Sequence, residues 1–68
     1  MSELIFVVEE APEGGYTARA LGVSIFTEAD SKDQLPGRVR EAVHTHYEEG
    51  QAPKMIRLHY VREELLTV

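Results

Sequence analysis

The sequence predicts a small α+β fold with the element order β-β-β-α-β, and three observations carry that prediction. Four short segments are rich in large or β-branched residues, and three of them alternate along the chain with the period of a strand. One longer stretch, between the third and fourth, repeats its apolar residues at spacings of three and four, the period of a helix. Apart from Pro36 and Gly37 near the start of the helical stretch, the glycines and prolines fall in the gaps between these segments, and none lies inside a strand. With 68 residues the chain is read as a single domain, 1–68.

Leu4 to Val8 is an unbroken apolar run ended by Glu9 and Glu10, as expected for a central strand covered on both faces. Tyr16 to Ala20 then alternates, Tyr16, Ala18 and Ala20 against Thr17 and Arg19. Between the two lies Ala11-Pro12-Glu13-Gly14-Gly15. A phosphate cradle needs Gly-x-Gly-x-x-Gly opening a helix, or a terminal Gly-Lys-Ser/Thr, and neither occurs. The glycine pair therefore reads as a hairpin loop, where glycine accepts a positive φ without steric cost.

Leu21-Gly22-Val23 reads as a second turn, and Ser24 to Ala29 as a third strand with Ile25 and Thr27 on one side and Phe26 and Glu28 on the other. The helix begins at a cap supplied by Ser31 or by Asp33, and Pro36 bears on the choice. Ser31 with Gln34 fits a capping box, whereas a cap at Asp33 puts Pro36 in the first turn, where its missing N–H costs nothing. Leu35, Val39, Ala42, Val43 and His46 form the inner face, Arg38, Glu41, Thr45 and Glu48 the outer, and the helix is expected to run to about Glu49 and stop at Gly50. Met55 to Val61 alternates again as the fourth strand. Arg62 to Val68 is read as an extended arm.

Twelve acidic against seven basic side chains give a formal charge of −5. Phosphate backbones are bound through Lys and Arg, so direct nucleic-acid binding is not expected, and a basic protein is the more natural partner. The start of the chain lacks a basic segment before a long apolar run, and no stretch approaches the roughly 20 apolar residues of a membrane span. No membrane contact is expected, and the cytoplasm is the expected location. Cysteine is absent, so neither a disulfide nor a thiol nucleophile is available.

The segments "EEAPEGGYTARA", "IFTEADS" and "LPGRVREAVHTHYEE" together resemble the HicB-like family of bacterial and archaeal proteins. Those chains share an acidic turn leading into a Gly-Gly-Tyr-x-Ala hairpin, a third strand stepping into the helix through Gly-Asp/Glu-Ser/Thr, and a helix with an apolar-x5-Ala-apolar spacing. The likeness covers nearly the whole chain and is strongest from Val7 to Glu49; Ala29 stands where the family usually has Gly, and Leu21-Gly22 replaces a Pro-Gly turn. The resemblance implies a three-stranded antiparallel meander, one helix and a further strand, similar to a truncated ribonuclease H-like fold without its active site. It also implies an antitoxin that binds and masks a small basic HicA-type messenger-RNA-cleaving toxin. Longer members add a DNA-binding domain, for which residues 1–68 leave no room. None of the shared motifs is catalytic.

No catalytic, cofactor-binding or metal-ligating residues are expected. His44 and His46 lie two apart on a helix, roughly 200° around its axis, and cannot grip one ion. The carboxylates on regular elements, Glu9, Glu28 and Glu41, are not expected to meet as a two-cation nuclease would require. The candidate partner interface is the sheet face away from the helix: Thr17, Arg19, Phe26, Glu28, Arg57, His59 and Val61, with Tyr16, Ala18, Ala20, Ile25, Ile56 and Leu58 beneath the helix. Glu9, Glu10, Glu48 and Glu49, with Glu28, are expected to form an acidic surface that steers a basic partner. Because so small a core is marginal, the chain is also expected to pair with itself as a dimer or larger. The competing function is a stand-alone module that only oligomerises.

Overall fold

A computed structural model of the chain describes residues 3–68. Met1 and Ser2, part of the chain start read above as lacking a secretory signal, lie outside the described residues. The elements are β1 (Glu3–Glu10), β2 (Tyr16–Ala20), β3 (Phe26–Ala29), α1 (Leu35–His46) and β4 (Met55–Tyr60). The fold is α+β with the order β-β-β-α-β. The sheet order is β3-β2-β1-β4; β1 and β2 pair antiparallel, as do β2 and β3, and β4 joins β1 in parallel.

Parallel pairing of β1 and β4 requires a crossover, and α1 supplies it. The helix descends across one face of the meander and returns the chain to the beginning of β1, where Met55 stands opposite Glu3. The core lies between that helix and the sheet. Leu4, Phe6 and Val8 of β1 and Ala18 of β2 meet Leu35, Val39 and Val43 of α1, and Ile25 and Ala29 close the β3 side. No polar or charged residue is buried among the described residues.

Gly14 and Gly15 sit in the hairpin loop between β1 and β2. Ala11 N–H donates to the Gly15 carbonyl and Gly14 N–H to the Ala11 carbonyl, both at 3.0 Å, and the two glycines take φ of 99° and 83°. That geometry places them in a turn, where only a residue without a Cβ is unstrained.

Several element boundaries differ from the sequence expectation. β1 starts at Glu3 and runs on through Glu9 and Glu10, which pair with Thr17 and Tyr16 rather than ending the strand at Val8. β3 starts at Phe26 rather than Ser24, because Ile25 N–H turns back to the Val23 carbonyl at 3.0 Å and leaves the ladder. The residue at the helix N-cap is Gln34, neither Ser31 nor Asp33. Ser31 instead builds a preceding turn, its hydroxyl and its carbonyl both accepting from Gln34 N–H. Pro36 consequently falls in the first turn of α1, where its missing N–H is harmless.

At the other end α1 stops at His46, short of Glu49, because Tyr47 becomes extended (φ −100°, ψ 149°) and packs its ring against the core. Its N–H still closes the last turn on the Val43 carbonyl at 3.0 Å. His46, expected on the inner face of the helix, is exposed and meets the Tyr47 ring edge-on, 4.9 Å between centroids. β4 ends at Tyr60, although Val61 N–H still donates to the Val8 carbonyl at 2.8 Å.

The helix is not centred on the sheet. It packs over β3 and the meander, so Ile56 and Leu58 of β4, expected beneath it, pack against the core but stay half-buried. An open apolar groove of about 400 Å³ remains between α1 and β4. Lys32 lies over the Tyr60 ring, 4.9 Å from its centroid, at the far end of β4. Residues 61–68 continue beyond the sheet, every one exposed, and stretch the molecule to 51 × 22 × 18 Å. Its radius of gyration is 13.3 Å, against about 11 Å for a compact chain of this length.

Candidate functional site

Among the described residues the face of the sheet opposite α1 has no covering element, and the strand registers arrange its side chains in rows. Alternation along β1 sends Leu4, Phe6 and Val8 towards the helix and Glu3, Ile5, Val7 and Glu9 to the open side. Pairing then sets Glu28, Thr17 and Glu9 in one row across three strands. The next row is Phe26, Arg19, Val7 and His59; below it Ile5 stands opposite Arg57, and below that Glu3 opposite Met55. Val61 extends β4 past Tyr60 and so continues the first row beside Glu9. All seven residues expected on this face therefore share it.

Ile5 and Val7 stand at its centre and were missed by the sequence reading, which took β1 to be covered on both faces. Only the helix side is covered, and Ile5 and Val7 are half-buried by their strand neighbours. The uninterrupted apolar run was the signal: a strand apolar on both faces, in a fold with a single helix, leaves one apolar face without a layer. Phe26, 61 % exposed, and Met55 carry that apolar character outward on either side. The face thus has an apolar middle bordered by charge, the anatomy of a protein-binding patch.

One border of it is internally paired. Arg57 donates to the Glu3 carboxylate at 2.8 Å, across the parallel β1–β4 pair. The hydrogen bond from Arg57, with its positive charge, holds the Glu3 carboxyl below its ordinary value against a smaller opposing effect of desolvation, and the Arg57 guanidinium is correspondingly raised. A depressed carboxylate pKa stabilises the fold above its unfolded-state value and loses that contribution as pH falls through the folded-state value. Both side chains are well exposed, so little stability rides on the pair. Arg57→Ala is expected to move the Glu3 carboxyl titration, followed by NMR, upward to the ordinary value, with no resolvable change in thermal midpoint at neutral pH; an unmoved titration would show that the pair does not form in solution.

The other border is acidic. Glu28 and Glu9 flank Thr17, and Glu10 follows at the strand end; Glu9, Glu10, Thr17, Val61 and Glu63 surround a shallow basin of about 420 Å³. The acidic set expected as one surface is divided, however. Glu48 and Glu49 lie in the segment after α1, at the end of the sheet where Glu3 meets Met55, whereas Glu9 and Glu10 end β1 at the opposite pole. Glu9 and Glu28 come nearer to one another than the sequence implied, two strand spacings apart, or about 10 Å. Glu41 is across the sheet on the exposed side of α1. Among the described residues no three His, Asp or Glu side chains converge on a metal-sized site. Among them, too, no helix is long and apolar enough to cross a membrane.

Two curated proteins resemble the chain closely. One, a UPF0150 protein from Archaeoglobus fulgidus, is 56 % identical over 52 residues, 76 % of this chain and 77 % of that protein. The chain belongs to the UPF0150 family. A second UPF0150 protein, from Thermotoga maritima, is 33 % identical over 66 residues, 97 % of this chain and 93 % of its own length. The aligned length in that UPF0150 relative takes in the helix, β4 and most of the arm as well as the meander. No family model matches the chain, and no solved structure matches it.

Proposed function

We propose that this UPF0150 protein is a HicB-like binding module of the cytoplasm that acts as an antitoxin, masking a small basic messenger-RNA-cleaving toxin by occlusion. The observation that carries the reading is the open sheet face: Phe26, Val7 and Ile5 form an apolar centre, and the Glu28–Thr17–Glu9 row forms an acidic border beside it. An apolar centre supplies affinity once desolvated, while a charged border governs approach and register. The net charge of −5 has the sign that attracts a basic protein and repels bare nucleic acid. The reading is of a non-catalytic protein without a cofactor, whose mechanism is steric.

The test is an affinity capture of the tagged full chain from its native lysate at low salt, read by intact-mass spectrometry, followed by kinetics with whatever protein is recovered. A small basic protein at fixed stoichiometry supports the antitoxin reading. Recovery of only the chain itself supports the competing module that oligomerises and does nothing more. For the recovered partner, the association rate is expected to fall at least about tenfold between low and high ionic strength, and Glu9→Gln with Glu28→Gln to flatten that dependence. An association rate indifferent to salt would remove the acidic row from the mechanism.

A further inference from the structure

The groove between α1 and β4 and the exposed arm are two apolar features left without partners among the described residues. Leu65 is 97 % and Leu66 78 % exposed, and Val68 is wholly exposed. The groove is floored by Ile56 and Leu58, walled by Val39 and Val43, and rimmed by Arg40 and Lys54. We infer that the arm of one copy lies in the α1–β4 groove of a second copy, with the exchange made reciprocally about a two-fold axis.

Three observations make a second copy the occupant. The lengths match: Leu65 to Val68, extended, covers about 10–14 Å, and the strand from Met55 to Leu58 that floors the groove spans about 10 Å. The charges match as well. Glu63 and Glu64 precede the apolar tip, with only Arg62 opposing them, and the groove rim is among the few basic places on a chain of net charge −5. A basic partner of the kind proposed for the open face would be repelled here, so this inference does not rest on that reading.

The arm is also ill suited to folding back on its own groove. It leaves β4 pointing away from the globule, and reversal would need a tight turn within Val61-Arg62-Glu63-Glu64, which has no Gly, Pro, Asn or Asp. A two-fold exchange removes the reversal, because each arm runs onward into its neighbour.

Sedimentation equilibrium of the full chain, from low micromolar to submillimolar, is expected to give twice the 7.7 kDa chain mass. Leu65→Asp with Leu66→Asp should raise the apparent dissociation constant at least about 100-fold. Both residues are exposed in the single chain, so the circular dichroism of the fold should persist. Lys54→Glu should weaken the dimer, and Glu63→Lys with Glu64→Lys should restore it. A spin label at Thr67→Cys, unique in a chain without cysteine, mixed with isotope-labelled unmodified chain, should broaden the methyl signals of Ile56 and Leu58 in the other copy. A monomeric wild type, an arm variant that stays dimeric, or broadening centred on the open face near Phe26 would each overturn the exchange.

Discussion

Phe6→Ala is expected to leave the chain largely unfolded at 37 °C. Phe6 is the largest wholly buried side chain, central in β1 between Ala20 of β2 and Leu58 of β4, with the helix above it. Removing a buried phenyl ring costs about 3–5 kcal/mol, because the transfer free energy is lost and a cavity remains. A chain of 68 residues holds a total of about 3–10 kcal/mol. Phe26→Ala is the natural comparison, since it deletes the same ring from a site 61 % exposed and should change stability by less than about 0.5 kcal/mol. Urea titration at one fixed protein concentration, followed by circular dichroism, distinguishes the two. A cooperative Phe6→Ala transition close to wild type would mean that the core is not organised around β1.

Gly15→Ala should be the most damaging single change outside the core, costing about 2–4 kcal/mol. Two separate costs coincide there. Its φ of +83° is strained for any residue with a side chain, and an added Cβ would lie 2.8 Å from the carbonyl oxygen of Ala29. That oxygen cannot retreat easily, because Ala29 is buried in the core and pairs with Tyr16 across the β2–β3 ladder. Gly14 separates the two costs: its φ is +99°, but a Cβ there meets nothing within 4 Å. Gly14→Ala should therefore cost only the backbone strain, about 1–2 kcal/mol. On a domain this small each kcal/mol is worth about 4–8 °C, so thermal melts should order the three proteins plainly. Equal midpoints for the two variants would remove the Ala29 contact from the explanation.

The parts of the fold that follow from local rules were legible in the sequence. Period-two alternation divided β2, β3 and β4 correctly between their faces, and the hairpin role of Gly14-Gly15 followed from the strands on either side. The helix termini were less legible: packing of Tyr47 against the core pulled the chain out of the helix before Gly50 could stop it, and Ser31 spent its hydroxyl on a local turn with Gln34 instead of capping the helix. The candidate site was legible as a face but not as a pattern. Its rows depend on register, and the positions of Glu28 and Glu9 on either side of Thr17 are joined by no sequence spacing. The off-centre seating of α1, which opens the groove beside Ile56 and Leu58, is a property of three-dimensional packing that one-dimensional periodicity does not encode.

The parallel union of β4 with β1 has a consequence for folding. Every other strand pairing in the sheet joins neighbours along the chain, through short turns that close early and at small entropic cost. The β1–β4 pairing joins Glu3 to Met55 and waits for the helix and the whole intervening chain to be in place. During that interval the edge of β1, with Ile5 and Val7 beside it, is open to any strand that passes. A chain in which β4 has not yet docked is thus open to mispairing along β1, and conditions that delay that docking during refolding should raise the fraction lost to aggregation.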